Sequence, residues 1–322
     1  METRVISIAD RYPEFIVYQH ESIKKFLDKS VKYTIFNNAA NLTIRDKINS
    51  VCEKLGIEVH NIYCNYNQHT SPIHAEAMNS IWKNFLSDKK CGVLWFDGDM
   101  FLISDIDIEF LTENYDMGYS PIYRGKEWEI ECMWTGILFF NMYTLDRNID
   151  FSLTEINGYR TDTAGFTYWY LKAHPEYRRT YFRVLNLEDF EENNLFTELN
   201  GCTSNMLDFI DGKPLGKIER KIFPYEKEDE NYISNYKKEY DEHKKIALEY
   251  NFPRPYSFDL IKLWQQEKSF LFHYKSGSWN GLYGDGKNKY ATEKKEAIRN
   301  LLEIDNSLLK EVGVEYMGKE KN

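Results

Sequence analysis

CGVLWFDGDMFLISDID, residues 91–107, is the stretch from which the rest of the chain can be read. Val93-Leu94-Trp95-Phe96 is a short continuous apolar run, the pattern of a strand buried on both faces of a parallel sheet. The strand has to end where Asp97-Gly98-Asp99 begins, because unpaired carboxylates are too costly in an apolar layer. Gly98 lets the backbone turn sharply there. Two aspartates one residue apart on such a turn can converge on one hard cation, leaving its other positions to water and to substrate phosphates. Taken alone, Asp-Gly-Asp is also an ordinary polar turn. The immediate return to apolar residues at Met100-Phe101-Leu102 favours a strand kinked at a cation site.

Upstream, the pattern alternates strand and helix. Val5-Ile6-Ser7-Ile8 reads as a strand and Ala9-Asp10-Arg11-Tyr12-Pro13 as a turn. Residues 15–27 read as a helix, with Phe15, Ile16, Ile23, Phe26 and Leu27 inward and polar residues opposite. Tyr33-Thr34-Ile35-Phe36 is a second strand ending at Asn37-Asn38. A second helix runs over 43–55, with Gly56 placed for its C-terminus, and 59–63 is a third strand. Three strands and two helices in some sixty residues predict a parallel, doubly wound sheet. Ligands of such sheets lie at the carboxyl ends of the strands, where Ala9-Asp10, Asn37-Asn38 and Asp97-Gly98-Asp99 would all fall.

Downstream, Pro72 stands in the first turn of a further helix, with Ile73, Ala77, Ile81, Trp82 and Phe85 as its buried stripe. His74 and Asn79 lie off that stripe. Strands are expected at 117–123 and across Met133-Trp134-Thr135-Gly136-Ile137-Leu138-Phe139-Phe140-Asn141, where Gly136 suggests close backbone approach or a bulge. Asp162 or Thr163 is placed to cap an aromatic-rich helix over 164–171. A strand at 184–190 ends in Glu188-Asp189. Residues 217–250 are dense in Lys and Glu with apolar residues near helical spacing, a charged helical excursion. Residues 269–274 run into a Gly/Ser turn at 276–278, and a last helix is expected over 292–312. The expected division is one domain over 1–285 with a packed helical tail over 286–322.

Composition narrows the function classes. Hydrophobic residues make up 42% of 322, enough for a sizeable core, and aromatics reach 16%. Surplus aromatics suit stacking on bases or sugar rings, and they equally suit an AT-rich coding sequence. A formal charge of −10 argues against general binding to nucleic acid or anionic membrane. Five cysteines without metal-ligand spacing fit free thiols of a reducing cytosol. The N-terminal stretch carries acids and a proline instead of an apolar leader, and no run reaches the length of a membrane span. A cytoplasmic location is expected.

Trp95-Phe96-Asp97-Gly98-Asp99-Met100-Phe101 resembles the DxD motif of nucleotide-sugar-dependent glycosyltransferases with the GT-A fold. The resemblance runs over roughly residues 4–280. It implies a Rossmann-like, doubly wound mixed sheet flanked by helices. It also implies a nucleotide-sugar donor, most simply a UDP-sugar, and a glycan or other hydroxyl acceptor. Ile8-Ala9-Asp10-Arg11-Tyr12-Pro13-Glu14-Phe15 resembles the base-binding start of the glycogenin-like members. That implies Tyr12 stacking on the base and Asp10 hydrogen-bonding it, although a plain turn with a packed tyrosine reads as well. The same likeness implies donor contacts from Ala9, Asn37, His74, Asn79, Gly98 and Gly136, and for His74 helix capping is the competing reading. Asp97 and Asp99 would hold Mn²⁺ or Mg²⁺ with His273, from a stretch resembling the C-terminal histidine motif; Lys275 and Gly277 would meet the phosphates. In that stretch the lysine comes earlier than in the family, and the Lys-Pro-Trp ending of glycogenin relatives is absent. Asp162 is the acid expected at the transferring sugar, with Asp189 as the next candidate. Two other classes stay open at this level: a nucleotidyltransferase, which also uses paired acids and metal, and a non-catalytic carbohydrate- or nucleotide-binding domain on the same fold.

Overall fold

Residues Thr3–Ala9 form β1, and every one of them is buried. The alternation explains why: Ile6 and Ile8 enter one apolar cluster, while Val5 and Ala9 enter clusters on the other side of the sheet. The structure is a computed structural model that describes residues 1–124, 129–186, 209–210, 213–214, 232–252, 258–264, 266, 268–274 and 291–314. After β1 come α1 (Pro13–Phe26), β2 (Lys32–Asn37), α2 (Leu42–Leu55) and β3 (Glu58–Asn61). Helix α3 (Thr70–Ile81) runs into a π-helical turn over Trp82–Leu86, followed by β4 (Gly92–Phe96) and β5 (Met100–Leu102). Next are α4 (Ile108–Asn114), β6 (Met117–Arg124), β7 (Ile130–Asn141), the small ladder of β8 (Glu155–Ile156) with β9 (Tyr159–Arg160), and α5 (Thr167–Ala173). β10 (Arg179–Asn186), the short β11 (Phe209–Ile210) and β12 (Lys213–Pro214), and α6 (Tyr232–Glu249) follow. β13 (Asp259–Leu263), β14 (Leu271–His273), α7 (Ala291–Leu301) and α8 (Asn306–Glu311) complete the order.

The main sheet is ordered β3-β2-β1-β4-β7-β6-β10-β13-β14-β5. β1, β2, β3 and β4 are mutually parallel, and β7 lies antiparallel between β4 and β6. The expected mixed α/β architecture, a doubly wound sheet flanked by helices, is the one observed. Local chemistry sets the early helices. Pro13 opens α1 with Glu14 in its first turn and Lys24 and Lys25 in its last, complementing the helix dipole. Asn41 accepts the Ile44 amide to cap α2, and Gly56 closes it at φ 67°.

Four details depart from the sequence reading. β5 does not continue β4: it pairs antiparallel with β14 at the far edge of the sheet, so the Asp-Gly-Asp kink carries the chain from the centre of the sheet to its edge. β13 has no clear strand pattern in the sequence, because Asp259 and Lys262 interrupt its apolar run. The long C-terminal helix is two helices, broken where Glu303 takes φ 58° and Asp305 caps Ser307. Neither Asp162 nor Thr163 caps α5, whose N-cap is Phe166 without a side-chain bond. Residues 187–208 and 275–290, which include Asp189, Lys275 and Gly277, lie outside the described residues. No helix among the described residues is long and apolar enough to cross a membrane. Cys52, Cys64, Cys91 and Cys132 are free thiols.

Candidate active site

β1 and β4 run side by side and in the same direction, so Ala9-Asp10 and Asp97-Gly98-Asp99 emerge at the same end of the sheet. Gly98 is what lets them meet closely. A Cβ there would sit 2.6 Å from the Ile8 carbonyl oxygen, so the need is for close approach of two backbones.

The turn is held from all sides. The Asp97 amide donates to the Gly136 carbonyl at 3.0 Å, and the Met100 amide closes the turn onto the Asp97 carbonyl at 3.1 Å. The Tyr274 amide donates to the Asp99 carbonyl at 2.9 Å. From α1, the Gln19 amide group donates to the carbonyls of Asp97 (2.8 Å) and Met100 (3.0 Å), while its own oxygen accepts from the Tyr33 hydroxyl at 2.6 Å. Gln19 is 1% exposed. It is a polar residue of α1 turned inward, against the pattern that sets the polar residues of this helix toward solvent.

A cavity of about 220 Å³ opens over this turn. Its wall takes Ala9 from the end of β1, Asp10 and Tyr12 from the β1–α1 loop, and Asp97, Gly98 and Asp99 from the β4–β5 turn. Thr70, Ser71 and His74 come from the first turns of α3, Trp134 and Thr135 from β7, and Asp162 and Thr163 from the loop before α5. Asp162 is exposed, and its Oδ1 accepts the Thr163 amide at 2.8 Å. Thr163 Oγ1 donates to the Ser71 carbonyl at 3.1 Å, tying that loop to the start of α3.

Eight sequence-predicted residues therefore share one cavity: Ala9, Asp10, Tyr12, His74, Asp97, Gly98, Asp99 and Asp162. Three others stand elsewhere, for physical reasons. Asn37 is fully buried and donates to the Arg45 carbonyl and Asn49, holding β2 against α2; Asn38 reaches the cavity instead. Asn79 donates to Asp150 and Ser152 and accepts the Phe151 amide, organising that loop. Gly136 makes room for the Trp134 ring, whose nearest atom would lie 2.3 Å from a Cβ there. The close approach foreseen at Gly136 is made by an indole two residues earlier on the same strand. His273 stands behind Asp99, with Nε2 3.6 Å from Oδ1.

The electrostatics are those of crowded carboxylates. Burial, followed by the Asp99 charge, pushes Asp97 up to about 7, with His273 opposing and Asp10 adding to the rise. Burial also raises Asp10; Arg11, 3.2 Å away, pulls against it, and Asp99 pushes the same way as burial. His74, with Nε2 3.7 Å from Asp97 Oδ1, is held below its ordinary pKa by burial despite Asp10, Asp162 and Asp99. Burial works against charge on His273 too, but Asp99 and Asp259 outweigh it and hold its pKa above the ordinary value. Among the described residues, no group of three His, Cys, Asp or Glu is arranged to hold a metal ion by itself. Paired carboxylates on a cavity wall fit a divalent cation of the kind that keeps several waters and takes substrate phosphates as ligands. The upward push of Asp99 on Asp97 is the repulsion such an ion would relieve.

No protein-family model matches the chain, and no curated protein sequence matches it. Among the solved structures similar to it are glycosyltransferases. One is the galactosyltransferase LgtC in complex with donor and acceptor sugar analogues, at 14% identity and TM-score 0.32, covering 43% of this chain and 58% of that one. Another is GlyE of Streptococcus pneumoniae, at 15% identity and TM-score 0.29, covering 44% of this chain and 35% of that one. The match thus spans just over half of LgtC and about a third of GlyE.

Proposed function

We propose that the chain is a divalent-metal-dependent glycosyltransferase that moves a sugar from a UDP-sugar to a hydroxyl acceptor. The observation that carries this reading is the convergence of Asp10 and Tyr12, Asp97-Gly98-Asp99 and Asp162 on one cavity at the carboxyl ends of β1 and β4. Tyr12 presents a ring for the nucleobase and Asp10 an acceptor for its N–H groups. The first turn of α3 lines the cavity with Thr70 and Ser71, and a helix N-terminus is a favourable place for phosphate oxygens. Asp97 and Asp99 would hold Mn²⁺ or Mg²⁺. When bound, the ion neutralises the diphosphate leaving group as the glycosidic bond breaks. Asp162, in the wall of the same cavity and not capping α5, orients the sugar hydroxyls or stabilises positive charge at the anomeric carbon.

The test is turnover across a panel of UDP-sugars with and without chelator. Chelator-sensitive consumption of at least one donor is expected, and Asp99→Asn should abolish it while the protein stays folded. Asp162→Asn should lower transfer by roughly 10²–10⁴ with UDP affinity nearly unchanged. Absence of turnover with every donor, alongside retained UDP-sugar binding, would replace the enzyme with a binding domain.

A further inference from the structure

β13 opens on Asp259, which belongs to none of the motifs in the sequence. The whole strand is buried and Asp259 is 4% exposed, a costly place for a carboxylate unless a partner meets it. A partner stands across the ladder: β13 and β14 run antiparallel with Asp259 directly opposite His273. Its Oδ2 lies 2.9 Å from His273 Nδ1. The other ring nitrogen, Nε2, faces Asp99 Oδ1 at 3.6 Å. On its far edge β14 pairs with β5, which sets His273 opposite Met100, the residue after Asp99. Trp134, itself in the cavity wall, meets the imidazole edge-on at 5.6 Å. The ring is thus fixed by a carboxylate behind it, an indole beside it and two strands.

We infer that Asp259 is a positioning residue: by accepting the Nδ1–H of His273 it directs Nε2 at Asp99 and the metal-facing turn. Which imidazole nitrogen carries the proton is set by the hydrogen bond the other makes. A carboxylate can only accept, and the contact with Asp259 at 2.9 Å is a hydrogen bond while that with Asp99 at 3.6 Å is not, so the uncharged ring keeps its proton on Nδ1 and turns the Nε2 lone pair toward Asp99. Carboxylates behind metal-facing histidines do this work in known sites, and losing one costs 10–100-fold in metal affinity. The tautomer assignment stands on the geometry alone; the consequence for a cation rests on the proposed function. A residue that only packed between β13 and β14, without accepting this hydrogen bond, would leave the proton free to sit on either nitrogen.

Two readouts separate these roles. In wild-type protein in alkaline buffer, once the imidazole has lost its charge, ¹⁵N NMR should show the His273 proton on Nδ1; a proton on Nε2 overturns the inference. Asp259→Asn keeps the size of the side chain but can turn its NH₂ group toward Nδ1. In that variant the Nε2–H form should gain population, and Mn²⁺ affinity in the presence of UDP, read by calorimetry, should fall 10–100-fold. A folded Asp259→Asn with wild-type tautomer and wild-type Mn²⁺ affinity also overturns the inference. If the variant does not fold, the wild-type spectrum decides. If wild-type protein binds no Mn²⁺ with UDP, the metal-dependent reading of the cavity fails, and the NMR result still decides the role of Asp259.

Discussion

Asp97 bears the largest electrostatic load in the turn, because burial disfavours its charge, Asp99 stands two residues on, Asp10 shares the cavity, and His273 opposes them only in part. Its pKa is about 7, against an ordinary 3.8. The folded protein therefore holds a proton that the unfolded chain gives up, and stability present at low pH is lost as pH rises through the folded value. For metal-free protein, a decline on the order of 1–3 kcal/mol is expected between about pH 4 and 8, measured by urea unfolding. Asp97→Asn should flatten that decline and be the more stable protein at the alkaline end. Mn²⁺ affinity should rise over the same interval, since the ion competes with the proton for this carboxylate. A wild-type stability profile that is flat or climbs toward pH 8 would mean that Asp97 is ionised without strain.

At the scale of elements, the turn is rigid because α1 reaches into it. Gln19 spans from the Asp97 carbonyl to the Met100 carbonyl, and Ser22, one turn on, accepts the Leu102 amide. Gln19→Leu keeps the volume near constant but removes the donors to both carbonyls and the acceptor of the Tyr33 hydroxyl. A loss on the order of 2–3 kcal/mol in urea unfolding is expected, from buried polar groups left without partners, together with weaker Mn²⁺ binding. Unchanged values of both would show that the turn holds its shape without α1. The elements differ in how much of this the sequence displays. β1, β4, α2 and the Asp-Gly-Asp break are legible because period, cap and charge all agree there. Gln19 is not: a buried glutamine on a helix looks like any solvent-facing one until the carbonyls it serves are known. Asn37 shows the converse, since a strand-end amide at the right address turns out to be occupied by Arg45 and Asn49. Asp259 lies outside every motif, and only the antiparallel register against β14 reveals its partner.

Across the whole molecule, the C-terminal helices return to the beginning of the chain. Ala297, Ile298 and Leu302 of α7 and its continuation, with Leu309 and Val312 of α8, share one apolar cluster with Phe15 to Tyr18 of α1 and with Ile48 and Val51 of α2. The amphipathic pattern made this packing face legible, but its destination was not, because nothing in a helical stripe names its partner. The destination matters at Lys295. Its ammonium lies 4.5 Å from the centre of the Tyr12 ring and pairs with Glu14, while Phe15 packs tilted against the ring with centroids 5.0 Å apart. The aromatic surface proposed for the nucleobase is therefore fixed jointly by the first helix and by one nearly 280 residues later. Tyr12→Ala should weaken UDP binding by the roughly 1–3 kcal/mol that base–aromatic stacking contributes. Lys295→Ala leaves the ring in place but frees it to turn. It should cost about 0.5–1 kcal/mol of stability from the lost cation–π contact and a smaller, several-fold loss in UDP affinity. Calorimetry with UDP on both variants checks this: the losses should rank Tyr12→Ala above Lys295→Ala, and both above a substitution at exposed Lys24, on the opposite end of α1. Equal, wild-type affinity in the two cavity variants would return Tyr12 to the packing of α1 and leave the base to another part of the wall.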